Sequence, residues 1–146
     1  MFTRKLALAV AFTALLGAVA NAGPNVHVNV PNFGSIATSG FKSPGINVKA
    51  GVPSLFGMTS VGVLNSGKIT TKGNSSPGIN VAATGGLIGG KTTVGVKNTG
   101  TIKTTGKNSP GINVNAKGSH ANVNVANSGS ITTTGSNSAG ISVTAQ

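Results

Sequence analysis

From residue 26 onward the apolar residues of this chain fall on every second position, in short runs separated by glycine, asparagine, serine or proline. Val28 and Val30 make the first pair, Ile36 and Thr38 the second, Ile46 and Val48 the third. The order repeats as Val61/Val63, Ile69/Thr71 and Ile79/Val81, and again as Val94/Val96, Ile102/Thr104 and Ile112/Val114. A last copy reads Val123/Val125, Ile131/Thr133 and Ile141/Val143. Period-two alternation describes strands with one face turned in and the other out. Helical periodicity is absent beyond residue 22. The copies, residues 28–48, 61–81, 94–114 and 123–143, begin 33, 33 and 29 residues apart. The shortening lies wholly in residues 115–122, where a surface connection on a fixed scaffold tolerates it.

Three strands recurring as a block, about 30 residues apart, predict an all-β chain: a three-sided parallel β-helix, or β-solenoid, of about four coils. A sandwich of antiparallel hairpins does not explain why the three recur together. Coils stacked about 4.8 Å apart would place like on like in internal rows. The expected rows are Ile36, Ile69, Ile102 and Ile131; Ile46, Ile79, Ile112 and Ile141; and Val48, Val81, Val114 and Val143. Asn32, Asn65, Asn98 and Asn127 share the inward parity of the preceding valines, so their amides can bond from coil to coil. The alternative for these asparagines is a turn residue facing solvent. Recurrent glycines mark sharp turns or close approach of coils, and Ser-Pro-Gly at 43–45, 76–78 and 109–111 presets a bend, relaxed to Ser-Ala-Gly at 138–140.

The reading of the ends is that the last coil lacks its third side and that neither end carries a cap. Uncapped strand edges invite another chain. Head-to-tail stacking through Val26, Val28 and Val30 at one end and Ile141 and Val143 at the other is expected, a contact that does not close. A piece of a longer β-helix is the rival expectation.

The first 22 residues differ in kind. Arg4 and Lys5 precede an apolar run at 6–20, and Ala20-Asn21-Ala22 supplies a small-x-small site. This is the pattern of a secretory signal peptide cleaved after Ala22, which predicts a repeat domain of residues 23–146 that is secreted or displayed at a bacterial surface. No second apolar run is long enough to span a bilayer.

Composition narrows the chemistry. With no cysteine, disulfides and thiolate metal sites are excluded. With no Asp or Glu, the carboxylate pairs of glycoside hydrolysis and carboxylate calcium sites are excluded too. His27 and His120 fall in different copies and are expected at the surface, so neither catalysis nor a bound metal or cofactor is expected. Gly85-Gly86 and Gly89-Gly90 flank Leu87-Ile88 in a loop without the phosphate-binding pattern.

Surface chemistry remains. Eleven Lys plus Arg stand against no acid, and nine lysines lie beyond Ala22. The outward positions of the Ile-x-Thr strands read Ser35/Ala37/Ser39, Lys68/Thr70/Lys72, Thr101/Lys103/Thr105 and Ser130/Thr132/Thr134. Lys68, Lys72, Lys97, Lys103 and Lys107 are candidate contacts for a polyanion such as extracellular DNA, lipopolysaccharide or an anionic glycan, without sequence specificity. Threonine rows also suggest ice binding, which the lysines interrupt.

The units at 65–81, 98–114 and 127–143, with 32–48 a looser copy, follow N-S/T-G-x-I-x-T-x-G-x-x-S-x-G-I-x-V. This pattern resembles the passenger repeats of bacterial autotransporter and haemagglutinin-like adhesins. The resemblance implies a right-handed β-helix at a cell surface, active in adhesion, aggregation or biofilm. The chain lacks that family's C-terminal membrane β-barrel and is much shorter. The expectation is a structural or adhesive surface protein that self-associates end to end into fibres or biofilm matrix.

Overall fold

The computed structural model describes residues 13–15, 25–52 and 55–146. The segment read as a leader, residues 1–22, lies outside them except for β1 (Thr13–Leu15). Each repeat copy forms one coil of three strands. Coil 1 comprises β2 (Val26–Asn32), β3 (Ser35–Ser39) and β4 (Ile46–Gly51); coil 2 comprises β5 (Thr59–Asn65), β6 (Lys68–Lys72) and β7 (Ile79–Thr84). Coil 3 comprises β8 (Lys91–Asn98), β9 (Thr101–Thr105) and β10 (Ile112–Lys117). Coil 4 comprises β11 (His120–Asn127), β12 (Ser130–Thr134) and β13 (Ile141–Ala145). Strands of equal rank pair in parallel and make three sheets: sheet A ordered β1-β4-β7-β10-β13, sheet B β2-β5-β8-β11 and sheet C β3-β6-β9-β12. The protein is a three-sided parallel β-helix.

One expectation is corrected. The last coil does not lack a side, because β13 closes it beside β10. From β2 to β13 each of the three sides holds four strands, so four full coils are present wherever the division is placed. Val26–Asn32 is therefore the edge strand of sheet B beside β5, not a side that coil 4 is missing.

Register carries the internal rows as expected: Ile46↔Ile79, Ile79↔Ile112 and Ile112↔Ile141 in sheet A, and Ile36↔Ile69, Ile69↔Ile102 and Ile102↔Ile131 in sheet C. Ile69, Ile79, Ile102 and Ile112 are fully buried, with Val48, Val81 and Val114 beside them. At the first corner the amides form a continuous chain. Asn32 Nδ2 donates to Asn65 Oδ1 at 2.7 Å, Asn65 Nδ2 to Asn98 Oδ1 at 2.6 Å, and Asn98 Nδ2 to Asn127 Oδ1 at 2.7 Å. The inward reading holds over the solvent-facing one for Asn65 and Asn98, which have no solvent exposure.

Further polar rows line the interior. Thr71 and Thr104 are buried and donate their hydroxyls to the carbonyls of Ser76 and Ser109, at 2.7 and 2.6 Å. The hydroxyl oxygens of Ser76 and Ser109 accept from the backbone N–H of the preceding coil's serine, and each hydroxyl donates to that coil's Gly40 or Gly73 carbonyl at 2.8 Å. Thr59 and Thr92, also buried, donate to the carbonyls of Thr84 and Lys117 at 2.7 Å. Among the described residues no buried side-chain polar atom lacks a partner. A core this rich in hydroxyls and amides is tenable only because each group is paired.

Candidate interaction surfaces

Direction within the coils sets what each end offers. Within the strands, inward-facing residues donate their N–H to the following coil, as Ile46 does to the Gly78 carbonyl at 2.9 Å. Outward-facing strand residues donate to the preceding coil, as Lys68 does to the Gly34 carbonyl at 2.9 Å, whereas at the corner Lys42 donates to the Asn74 carbonyl of the following coil at 3.1 Å. The far side of coil 4 is an uncovered edge of all three sheets among the described residues. Its inner row shows there: Ile141 is 41% and Val143 47% exposed, against 0% and 1% for their counterparts Ile112 and Val114. Val123, Val125 and Ile131 are half-buried for the same reason.

The coil 1 end differs. Val26 and Val28 are buried, Val30 and Ile36 only partly. Beside β4 the chain itself supplies a strand: β1 pairs as Thr13↔Asn47, Ala14↔Val48 and Leu15↔Lys49, and Ile46 and Val48 are buried. Of the residues expected to meet in self-association, Ile141 and Val143 are exposed on one end face, while Val26, Val28 and Val30 lie on the inner row at the other.

On the outer face of sheet C, register sets Ser35, Lys68, Thr101 and Ser130 in one row, Ala37, Thr70, Lys103 and Thr132 in the next, and Ser39, Lys72, Thr105 and Thr134 in the third. Lys68, Lys72 and Lys103 thus share one face and are exposed. Lys97 stands on the outer face of sheet B, in register with Leu64 and Ala126, and Lys107 follows β9 in the corner towards sheet A. The structure brings three of the five lysines together and breaks every threonine row with a lysine, serine or alanine.

Two features were not foreseen. In the corner between sheets C and A, Lys42, Ser75, Asn108 and Asn137 all take left-handed backbone, with φ of 54°, 55°, 53° and 56°. They border a groove of about 490 Å³ walled by Pro44, Pro77 and Pro110 and by a second amide ladder. In that ladder Asn113 Nδ2 donates to Asn80 Oδ1 and Asn80 Nδ2 to Asn47 Oδ1, both at 2.8 Å. The recurrence of Ile-Asn-Val held the signal for it. At the third corner, between sheets A and B, the loops after β4 and β7 expose Leu55, Phe56, Met58, Leu87 and Ile88. His27 and His120 are exposed on the outer face of sheet B, in coils 1 and 4.

Among the described residues, fold and surfaces together define a parallel β-helix with apolar rows and paired hydroxyls and amides inside, a basic exterior and an exposed apolar row at the coil 4 end. Comparison with protein-family models, curated proteins and solved structures finds no match for the chain.

Proposed function

We infer that the protein is a structural or adhesive surface subunit, exported by its leader, which stacks end to end into fibres. The observation that carries this reading is the match between the two ends. A second copy placed with coil 1 against coil 4 would set Val28 on Val123, Val30 on Val125, Ile36 on Ile131, Ile46 on Ile141 and Val48 on Val143, continuing each internal row. Asn127 Nδ2 would meet Asn32 Oδ1 and lengthen the amide ladder. Such a contact repeats without closing. Pro31 removes one N–H from the incoming edge of sheet B, so the other pairings hold the joint. With residues 1–22 attached, β1 occupies the place on β4 that a neighbour's β13 would take. Loss of the leader frees that edge, and residues 23–146 should assemble more readily than the full chain.

The test is a change at the exposed end. Ile141→Lys with Val143→Lys adds charge where the side chains already meet water, so far-UV circular dichroism should stay unchanged. Assembly followed by light scattering should fall at least tenfold in rate, as buried uncompensated charge opposes the joint. Unaltered assembly would remove this end from the contact.

The lysines shared by sheet C favour a second reading, in which the fibre also holds polyanions. Lys68→Gln, Lys72→Gln and Lys103→Gln together should weaken DNA binding and reduce its salt dependence by about three in the log–log slope. Filter binding across a salt series checks this, and an unchanged slope would discard it.

A further inference from the structure

The loops at the third corner present apolar side chains that no coil requires. Their backbones are tied to one another and to the turn of coil 3 at the same corner. Gly86 N–H donates to the Gly57 carbonyl at 3.2 Å and Ile88 N–H to the Leu55 carbonyl at 2.9 Å. Ser119 Oγ donates to the Gly86 and Leu87 carbonyls at 3.3 and 3.2 Å and accepts from Gly90 N–H at 3.1 Å. The side chains nevertheless stay outside: Leu87 is 77% exposed, Phe56 59%, and Leu55 and Ile88 54% each. A contiguous exposed apolar patch on a hydrogen-bonded platform marks an interaction site.

Two exposed lysines adjoin the second loop, Lys91 in sequence and Lys117 in register with Thr84. Lys91 follows Gly90 directly, and the Lys117 carbonyl accepts from Gly85 N–H at 2.7 Å, so both exposed lysines stand at the root of the second loop. Beside it a cleft of about 270 Å³ on sheet B is lined by Met58, His27, Ser60, Thr93 and Lys91. The chain holds no carboxylate side chain to neutralise these groups.

We propose that this corner docks on an anionic lipid bilayer, the apolar side chains entering the headgroup–acyl boundary and Lys91 and Lys117 meeting lipid phosphates. The chemistry of the corner carries the assignment. Leu87, Ile88 and Leu55 are exposed apolar side chains on two hydrogen-bonded loops, with Lys91 next to the second loop and lining a cleft with Ser60 and Thr93, the pairing of apolar and cationic groups that an interface of acyl chains and charged headgroups accepts. The cleft of Lys91, His27, Ser60 and Thr93 suits one headgroup phosphate, with a cation and two hydroxyl donors. A polyanion in water would use the lysines and leave the apolar side chains idle. The corner is lateral, so the proposal is independent of end-to-end stacking.

Vesicle co-sedimentation tests it, using the full chain and residues 23–146 in parallel so that the apolar run at 6–20 is separately accounted for. Vesicles of phosphatidylcholine alone are compared with vesicles of phosphatidylcholine and phosphatidylglycerol. Both forms should prefer the anionic vesicles. Leu87→Ser with Ile88→Ser should lower that affinity about tenfold. Lys91→Gln with Lys117→Gln should lower it severalfold and flatten its salt dependence. Phe33→Ser with Phe41→Ser, at the other corners of coil 1, should leave it unchanged, and circular dichroism should match for all variants. Equal binding to both vesicle types would overturn the proposal. So would full affinity in the Leu87/Ile88 variant, or binding of free DNA that depends on Lys91 and Lys117 while vesicles are ignored.

Discussion

Replacing Gly100 with alanine should unfold the chain, whereas the same replacement at Gly34 should leave a single chain as stable as before. Gly34, Gly67, Gly100 and Gly129 hold one position in four coils, so local sequence alone gives them equal weight. Stacking separates them. A Cβ on Gly100 would lie against the Gly67 carbonyl and the Ser66 carbonyl carbon, inside any allowed contact. Both obstacles are backbone, so no rotamer change relieves them and the two coils must part. In a helix of stacked coils stability depends on each interface between neighbours, and this one divides the chain into two pairs of coils. Since fewer than three repeats rarely hold a fold, a penalty of roughly 3 kcal/mol or more at this interface should suffice. At Gly34 a Cβ meets nothing within 4 Å among the described residues. Urea unfolding followed by circular dichroism should therefore show no folded baseline for Gly100→Ala and a shift within about 0.5 kcal/mol for Gly34→Ala. Equal behaviour of the two would mean that the coils are not packed in this register.

The second large effect is expected at Asn98. Truncation to alanine leaves the buried Asn65 Nδ2 without its acceptor and opens a void at a corner with no solvent access. An orphaned buried donor and a small cavity together cost about 3 kcal/mol. Asn127 makes the same bond, but at the uncovered end where water can replace it, so Asn127→Ala should cost less than about 1 kcal/mol. Chemical denaturation of both variants measures the difference. Equal losses would contradict the ladder as a buried, continuous element.

These expectations show where the sequence speaks plainly. Ile36, Ile69, Ile102 and Ile131 are legible as one row because alternation gives their face and recurrence gives their neighbours. The amide row at Asn98 is legible for the same reason, through its parity with Val94 and Val96. Thr59, Thr92, Ser76 and Ser109 were less so. Their hydroxyls are buried, yet such residues serve equally well on a solvent face or in a turn, and only the closed coil reveals the carbonyls they meet. The missing third side of coil 4 was a matter of phase. A closed coil can be divided at any corner, and pairing of β13 with β10 settles the count. The groove by Pro77 and the apolar corner at Leu87 depend on how turns fold in space, which alternation within strands does not encode.

Gly34 also bears on end-to-end stacking, since a stacked copy would bring its Gly129 carbonyl to the place that the Gly67 carbonyl holds against Gly100. Light scattering of residues 23–146 over a concentration series, with negative-stain microscopy alongside, is the direct test, run for the unmodified chain and for Gly34→Ala. End-to-end stacking predicts that the unmodified chain gains mass with concentration and forms particles of constant width and growing length. Gly34→Ala should remain a folded single chain. A single-chain mass for the unmodified protein at every concentration, or equal growth of Gly34→Ala, would contradict it.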